Sequence, residues 1–256
     1  MPKETLKILT YNVQVAMPSH SMRHYLLHSW HHLLPHPRRD QNLRQIAEVI
    51  RPFDVVALQE LDAGSIRSRY VNHVDFLAEE CAFPFAQEQT TRKFGPFAHH
   101  AKGLLSRYPI HNTNHYILPS AVPGRGITTF CIGNEKDPLF IVNVHLSLAK
   151  RAQAKQLQFI LELTEQYDHV IIMGDFNMSP ERLFASTFDP KKLHVALTDA
   201  PTYPSWNPRK QLDYILLSHS LKVKKAGILQ CAFSDHLPMY AEIELPPQIF
   251  SVDKKK

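Results

Sequence analysis

The chain has 256 residues, 44% of them hydrophobic and 21% charged, which are the proportions of an ordinary soluble globular protein with material for a substantial core. No apolar run reaches the 18 or more residues of a membrane span. The net charge of +5 permits an anionic partner such as nucleic acid, an anionic membrane surface or a phosphorylated metabolite, and does not choose among them. The polar start Met1-Pro2-Lys3-Glu4 does not read as a signal peptide. Cys81, Cys131 and Cys231 are far apart and in apolar contexts, so they read as buried free thiols of a reducing compartment. The expected location is cytoplasmic.

Residues 6–13 alternate with β-branched and aromatic side chains and predict a buried strand, with Asn12 near its end. Residues 17–39 hold six histidines among Arg23, Arg38 and Arg39. Leu26, Trp30, Leu33 and Leu34 recur there at helical spacing, which predicts an amphipathic helix over 21–34, stopped by Pro35 and Pro37. Its histidines suit a polar face. The i, i+4 pair His24 and His28 could bind zinc, although no Cys or carboxylate stands nearby to complete such a site. A basic helix bearing a tryptophan can also rest on a membrane surface or touch substrate.

A second helix is expected over 42–50, closed by Pro52, and then a strand over 53–60 that ends on Glu60. A glutamate there is costly if it faces the core unpaired, so it is expected to face water, a cation or a metal. A helix over 71–81 precedes a Gly/Pro/His loop at 93–102 and a short strand and turn at 103–110. Residues 127–132 and 139–144 predict a hairpin whose second strand stops at His145. The clearest helix spans 150–167. A buried run at 169–173 then delivers Gly174-Asp175-Phe176-Asn177, with a helix start at Ser179-Pro180. An aromatic-proline loop at 201–208 and strands at 212–217 and 221–229 lead to Ser234-Asp235-His236 and a last strand at 239–245. No repeat or composition break divides the chain. The expectation is one domain over 1–256, with 17–39 as an insertion and 247–256 as a tail. Many strands and few helices in mixed order predict two packed sheets with helices outside.

Several of these strands end in residues that handle protons or metals. Glu60 and Asn12 offer hard oxygens suited to Mg²⁺, with Mn²⁺ as a substitute. His236 titrates near neutrality and can act as a general base toward water. Its neighbour Asp235 can pair with it only if the backbone bends, since adjacent strand residues point to opposite faces; Pro238 makes such a bend plausible. Asn177 and His145 can donate hydrogen bonds to phosphate oxygens. The chemistry suggested is metal-assisted hydrolysis of a phosphoester by in-line attack of water. The chain lacks the His-Glu-x-x-His of zinc peptidases, the Gly-x-Ser-x-Gly of serine hydrolases and any Gly-rich phosphate loop.

Tyr11-Asn12-Val13, Leu58-Gln59-Glu60, Asn143-Val144-His145-Leu146, Gly174-Asp175-Phe176-Asn177, Leu212-Asp213-Tyr214-Ile215 and Ser234-Asp235-His236-Leu237-Pro238 together resemble the ordered signature of the endonuclease/exonuclease/phosphatase superfamily, over residues 6–245. The resemblance implies a DNase I-like four-layer α/β/β/α sandwich, Mg²⁺ dependence and cleavage of phosphodiesters or phosphomonoesters. It implies that Glu60 and Asn12 hold the metal, that Asp175 orients or activates the water, and that Asn177 and His145, with Asn12 in reach, bind the scissile phosphate. His236 is then general base or charge stabiliser, with Asp235 its partner or a ligand of a second metal. Asp213 falls on a motif position and is expected to support His145 or a loop.

Val13-Gln14 and Leu61-Asp62 depart from the abasic-site endonucleases, and residues 169–177 from the inositol polyphosphate 5-phosphatases. Arg107 and Arg125, in Ser-Arg-Tyr-Pro and Pro-Gly-Arg-Gly, either reach an anionic substrate or brace the backbone. The expected substrate is nucleic acid, a phospholipid headgroup or a small phosphodiester. The alternative is a catalytically silent relative that binds nucleic acid or a membrane through 17–39. Oligomeric state leaves no signature.

Overall fold

In the computed structural model, which describes residues 5–16, 35–120, 124–186 and 188–251, strand periodicity explains the layering. In β1 (Thr5–Asn12) and β2 (Val55–Asp62) most buried positions are apolar, and successive side chains go to opposite faces. Leu6, Ile8, Val55 and Ala57 point into a cluster between two sheets, and Leu9, Tyr11, Val56 and Leu58 point into a second cluster beneath the helices α1 (Pro37–Ile50) and α2 (His73–Glu80).

The same division recurs in β7 (Leu139–His145) and β8 (His169–Asp175). Ile141 and Ile171 face the centre, and Val142 and Ile172 face α3 (Lys150–Thr164) and the short α4 (Pro180–Phe184) through Leu157, Ile160 and Leu183. Strands buried on both faces read as unbroken apolar runs. The architecture is a four-layer α/β/β/α sandwich.

The first sheet has the order β11 (Lys222–Ile228), β12 (Met239–Glu244), β1, β2, β4 (Ala98–Ser106), β3 (Phe85–Phe94). The second runs β5 (Ile110–Ile117), β6 (Gly126–Ile132), β7, β8, β10 (Asp213–Ser218), β9 (Leu193–Val195). Pairing is antiparallel except at the centre of each sheet. There β1 runs parallel to β2, with Asn12 opposite Gln59, and β7 runs parallel to β8, with His145 opposite Asp175. These two parallel pairs carry their carboxyl ends to the same edge of the sandwich.

A polar tie crosses the central core just behind that edge. Gln59 Nε2 donates to Asn143 Oδ1 at 2.9 Å, and Asn143 Nδ2 returns to the carbonyls of Leu58 (3.1 Å) and Gly103 (2.8 Å).

Three differences from the sequence reading bear on the site or its surroundings. Residues 93–102 are not a loop: β3 and β4 form a hairpin paired from Phe85↔Ser106 to Phe94↔Ala98, turning at Gly95. β3 is an edge strand with mostly half-buried polar side chains, so it has no apolar alternation to betray it. β5, the edge of the second sheet, was hidden for the same reason. α1 begins at Pro37 rather than at 42, because proline is favoured in the first helical turn and His36 caps it by accepting the Arg38 N–H at 3.2 Å. The amphipathic helix expected over 21–34, with its zinc and membrane readings, lies outside the described residues. Among the described residues no helix is long and apolar enough to cross a membrane.

Candidate active site

Asn12, Glu60, His145 and Asp175 come to the shared edge as the last or nearly last residues of β1, β2, β7 and β8. Glu60 and Asp175 are each aimed by a local backbone device. In β2 a bulge between Leu58 and Leu61 breaks the register with β4, and Glu60 sits there in the left-handed region (φ 55°), turning a carboxylate out of the sheet end. In β8, Gly174 (φ 148°) passes so close to β7 that a Cβ would lie 2.0 Å from the Val144 carbonyl oxygen, so only glycine allows Asp175 to be presented there. Asn177 (φ 52°) then turns the chain away, its N–H donating to Asp175 Oδ1 at 2.9 Å.

These side chains converge on Asp175. Its Oδ2 accepts from Asn12 Nδ2 at 3.1 Å and lies 3.5 Å from His145 Nε2 and 3.9 Å from His236 Nε2. Glu60 Oε1 is 3.6 Å from His145 Nε2. Asp213 opens β10 directly opposite Asp175 in the antiparallel register. It is 1% exposed, and its Oδ2 holds His236 Nδ1 at 2.8 Å while accepting from Thr202 Oγ1. The ring of Tyr203 leans on His236 with centroids 5.0 Å apart.

Three expectations are corrected by this geometry. The partner of His236 is Asp213, not Asp235: the chain through 234–238 is irregular, and Asp235 Oδ1 takes a bond from Ser234 Oγ at 3.2 Å instead. Asp213 supports His236 rather than His145. Arg107 lies outside the cluster, donating to the carbonyls of Arg51, Phe53, Cys81 and Ala82 and covering the Phe83 ring.

Asn177 is at the site, but its Nδ2 hydrogens are shared between the Leu146 carbonyl (3.1 Å) and Asp175 Oδ2 (3.3 Å), so a phosphate must displace the weaker of the two. Arg125 sits against His145, one Nη1 2.9 Å from Nδ1. Lys102, buried in β4, lies in the stretch 93–102 whose composition predicts a loop, and that expectation conceals it. A lysine inside the apolar run 101–105 was the available signal.

The electrostatics separate the groups. Burial raises the Asp175 carboxyl; the His236 charge opposes this and that of Asp213 adds to it, leaving a pKa of about 7. Burial likewise raises Asp235, against His236 and with Glu60, to about 6. Burial would lower His236, but the carboxylates of Asp213 and Asp175 outweigh it and hold the imidazolium well above its ordinary range. His145 goes the other way, lowered by burial and by Arg125 and Lys102.

The Glu60 carboxylate thus adds to the upward push of burial on both Asp175 and Asp235, and Asn12 meets Asp175 through its amide nitrogen. Asp213 Oδ1 is buried with no hydrogen-bond partner among the described residues. Asp175, Asp213 and His236 bring their ligand atoms within 4.8 Å of one another. A set of hard oxygens with excess negative charge fits a divalent cation.

A family model described as the Endonuclease/Exonuclease/phosphatase family matches residues 9–236. The Escherichia coli (strain K12) protein YbhP is 25% identical to this chain, covering 96% of it and 100% of YbhP. A crystal structure of an endonuclease/exonuclease/phosphatase from Beutenbergia cavernae DSM 12333 superposes with a TM-score of 0.76 at 18% identity, over 96% of this chain and 73% of that one. D. rerio TDP2, in a crystal structure with single strand DNA product, gives 0.68 at 16%, over 94% and 100%.

Proposed function

The chain belongs to the endonuclease/exonuclease/phosphatase family, and on that premise we propose that it is a Mg²⁺-dependent phosphodiesterase acting by in-line attack of water. The substrates in view are nucleic acid, a lipid headgroup or a small diester. In this reading residues 1–256 act as one cytoplasmic domain, with the part of 17–39 that precedes α1 available for peripheral contact with an anionic surface, since Arg39 is buried. The single observation that carries the proposal is the convergence of Asn12 Nδ2, His145 Nε2 and His236 Nε2 on the buried Asp175 Oδ2, at 3.1, 3.5 and 3.9 Å, with His236 Nδ1 tied to Asp213 at 2.8 Å. A buried carboxyl beside an imidazole that a second carboxylate holds offers a base and an acid in one place.

Glu60, Asn12 and Asp235 would hold the cation, whose chemistry when bound is to neutralise and polarise the phosphoryl oxygens. Asp175 Oδ2 is placed to orient the water and take its proton near neutral pH. His236 Nε2–H faces the charge that grows on the phosphoryl oxygens, and Asp213 keeps that proton on the ring. Asn177 Nδ2 and Arg125 add donors on the His145 side. Fixed donors in a site partly shielded from water stabilise such charge more than mobile solvent does.

The test is hydrolysis of a chromogenic phosphodiester with Mg²⁺. Activity should vanish in chelator, and Asp175→Asn and His236→Ala should each lose about 10²-fold or more. Wild-type rates in both variants would sink the proposal.

A further inference from the structure

Beside the catalytic cluster, and sharing Glu60 and His145 with it, lies a cavity of about 190 Å³ walled by Arg92, His100, Lys102 and Arg125 with Thr91 and Gly124. Three of these side chains are cationic types, against the one carboxylate of Glu60. Among the described residues no carboxylate pairs with Arg92, Lys102 or Arg125.

Lys102 is 2% exposed, and among the described residues its Nζ reaches only the carbonyls of Gly126 and Asn143. Burial and the nearby Arg125 lower its pKa well below the usual lysine value, as expected of a cation that has lost water without gaining a counter-charge. His100 is kept neutral, lowered to about 4 by burial and by Arg67, and so offers a ring nitrogen without adding charge.

Arg92 belongs to β3, outside every motif of the family signature. Its guanidinium carbon lies 3.9 Å from the centroid of the Phe94 ring, and its stem runs along Gly124 (φ 106°), where a Cβ would come within 3.3 Å of Arg92 Cβ. The side chain is thus held from the aromatic and glycine sides, while none of its N–H groups meets an acceptor among the described residues. A guanidinium so placed suits bidentate binding of a phosphate. The cavity is smaller than the roughly 300–1,000 Å³ of pockets that enclose whole ligands, so it takes one substituent.

We infer that this cavity is a subsite for a second phosphate group on the substrate, next to the scissile one, and that Arg92 selects for it. The inference rests on the phosphoesterase reading for the scissile position, but the subsite can be tested without it.

Binding of inorganic phosphate to the full chain is measured by calorimetry in EDTA, for wild type and Arg92→Gln. The wild type binds, and the variant binds roughly tenfold or more weakly; equal binding in the two, or none in the wild type, overturns the subsite. Hydrolysis of p-nitrophenyl thymidine 5′-phosphate is then compared with that of the same ester carrying a 3′-phosphate. In parallel, vesicles of phosphatidylinositol are compared with vesicles of its 4-phosphate, so that nucleotide and lipid sources are told apart. In one pair the extra phosphate raises kcat/KM in the wild type, Arg92→Gln removes that gain, and the unphosphorylated ester is cleaved at the wild-type rate. Cleavage with no Arg92-dependent preference in either pair overturns the inference. Phosphate binding lost in Arg92→Gln, with no ester cleaved by the wild type, upholds the subsite and counts against the phosphodiesterase reading instead.

Discussion

His236 Nδ1 lies 2.8 Å from Asp213 Oδ2, a partner 23 residues away, while the carboxylate next to it in sequence, Asp235, bonds to Ser234. The pairing fixes which ring nitrogen faces the site: with Nδ1 tied to Asp213, Nε2 is left toward Asp175. Asp213→Asn should therefore lower the His236 pKa toward or below its ordinary value and reduce kcat by about 10²-fold or more. Asp235→Asn should disturb the His236 titration far less, because Asp235 acts on it more weakly than Asp213 or Asp175. Imidazole NMR shifts of the metal-free protein across pH give the answer; an unchanged His236 titration in Asp213→Asn removes the pairing from the account.

Asn12, Glu60, His145 and Asp175 are legible because each closes or nearly closes a buried strand. A run such as 169–175 must be apolar on both faces, so a polar terminus stands out against it. The pairing between them was not legible. Which carboxylate meets His236 depends on β10 lying antiparallel to β8 with Asp213 opposite Asp175, and nothing local in Leu212-Asp213-Tyr214 encodes that neighbour. Arg92 and Lys102 were lost with their hairpin. An edge strand half-open to water carries no periodic signal, and the turn end of its hairpin at 93–102 reads as loop.

Gln59 and Asn143 each precede a site residue in their strand, Glu60 by one and His145 by two, and they bond to each other across the central core. A carboxamide buried among Leu and Ile is costly unless paired. Gln59→Leu and Asn143→Leu should each destabilise by roughly 1–3 kcal/mol, and the double variant should cost less than the sum, because neither amide is then left facing a partner that has gone. Urea unfolding of the four proteins in a double-mutant cycle measures this. Strict additivity would mean that the two amides act independently.

Acid should unfold this protein through the segment that follows β2. Asp62 is buried; burial raises its carboxyl, but Arg67 and the hydroxyls of Ser65 and Ser68 outweigh this and hold it at about 2. His73, whose Nδ1 receives the Asp62 N–H at 3.4 Å, is lowered by burial from 6.5 to about 3. Both pKa values are depressed on folding, so the unfolded chain binds more protons and stability is lost as pH falls. The His73 contribution is complete above pH 6.5 and declines from there down to about 3. That of Asp62 is complete above its ordinary 3.8 and is lost as pH falls toward 2. His73→Gln should take up about one proton fewer on unfolding at pH 5, a slope shallower by about 1.4 kcal/mol per pH unit. Urea midpoints between pH 7 and 4 test it; identical slopes would place the acid sensitivity elsewhere.

Arg107 distinguishes a bracing arginine from a substrate-binding one. Its Nε meets the Phe53 carbonyl at 2.9 Å and its Nη2 the Arg51 carbonyl at 2.6 Å, at the C-terminal end of α1, with longer bonds to Cys81 and Ala82 where α2 ends. One guanidinium thus ties together the ends of both helices that cover the first sheet, and a cation is favoured where helix carbonyls are left over. Arg107→Met keeps much of the stem that packs on Phe83 and removes the donors. It should cost roughly 1–3 kcal/mol in urea unfolding, with kcat/KM per folded molecule within about twofold of wild type, as for a surface change that touches no reacting group. A large fall in kcat/KM at unchanged stability would return Arg107 to the substrate, and the assignment of anion binding to the Arg92 and Arg125 side of the site would have to be redrawn.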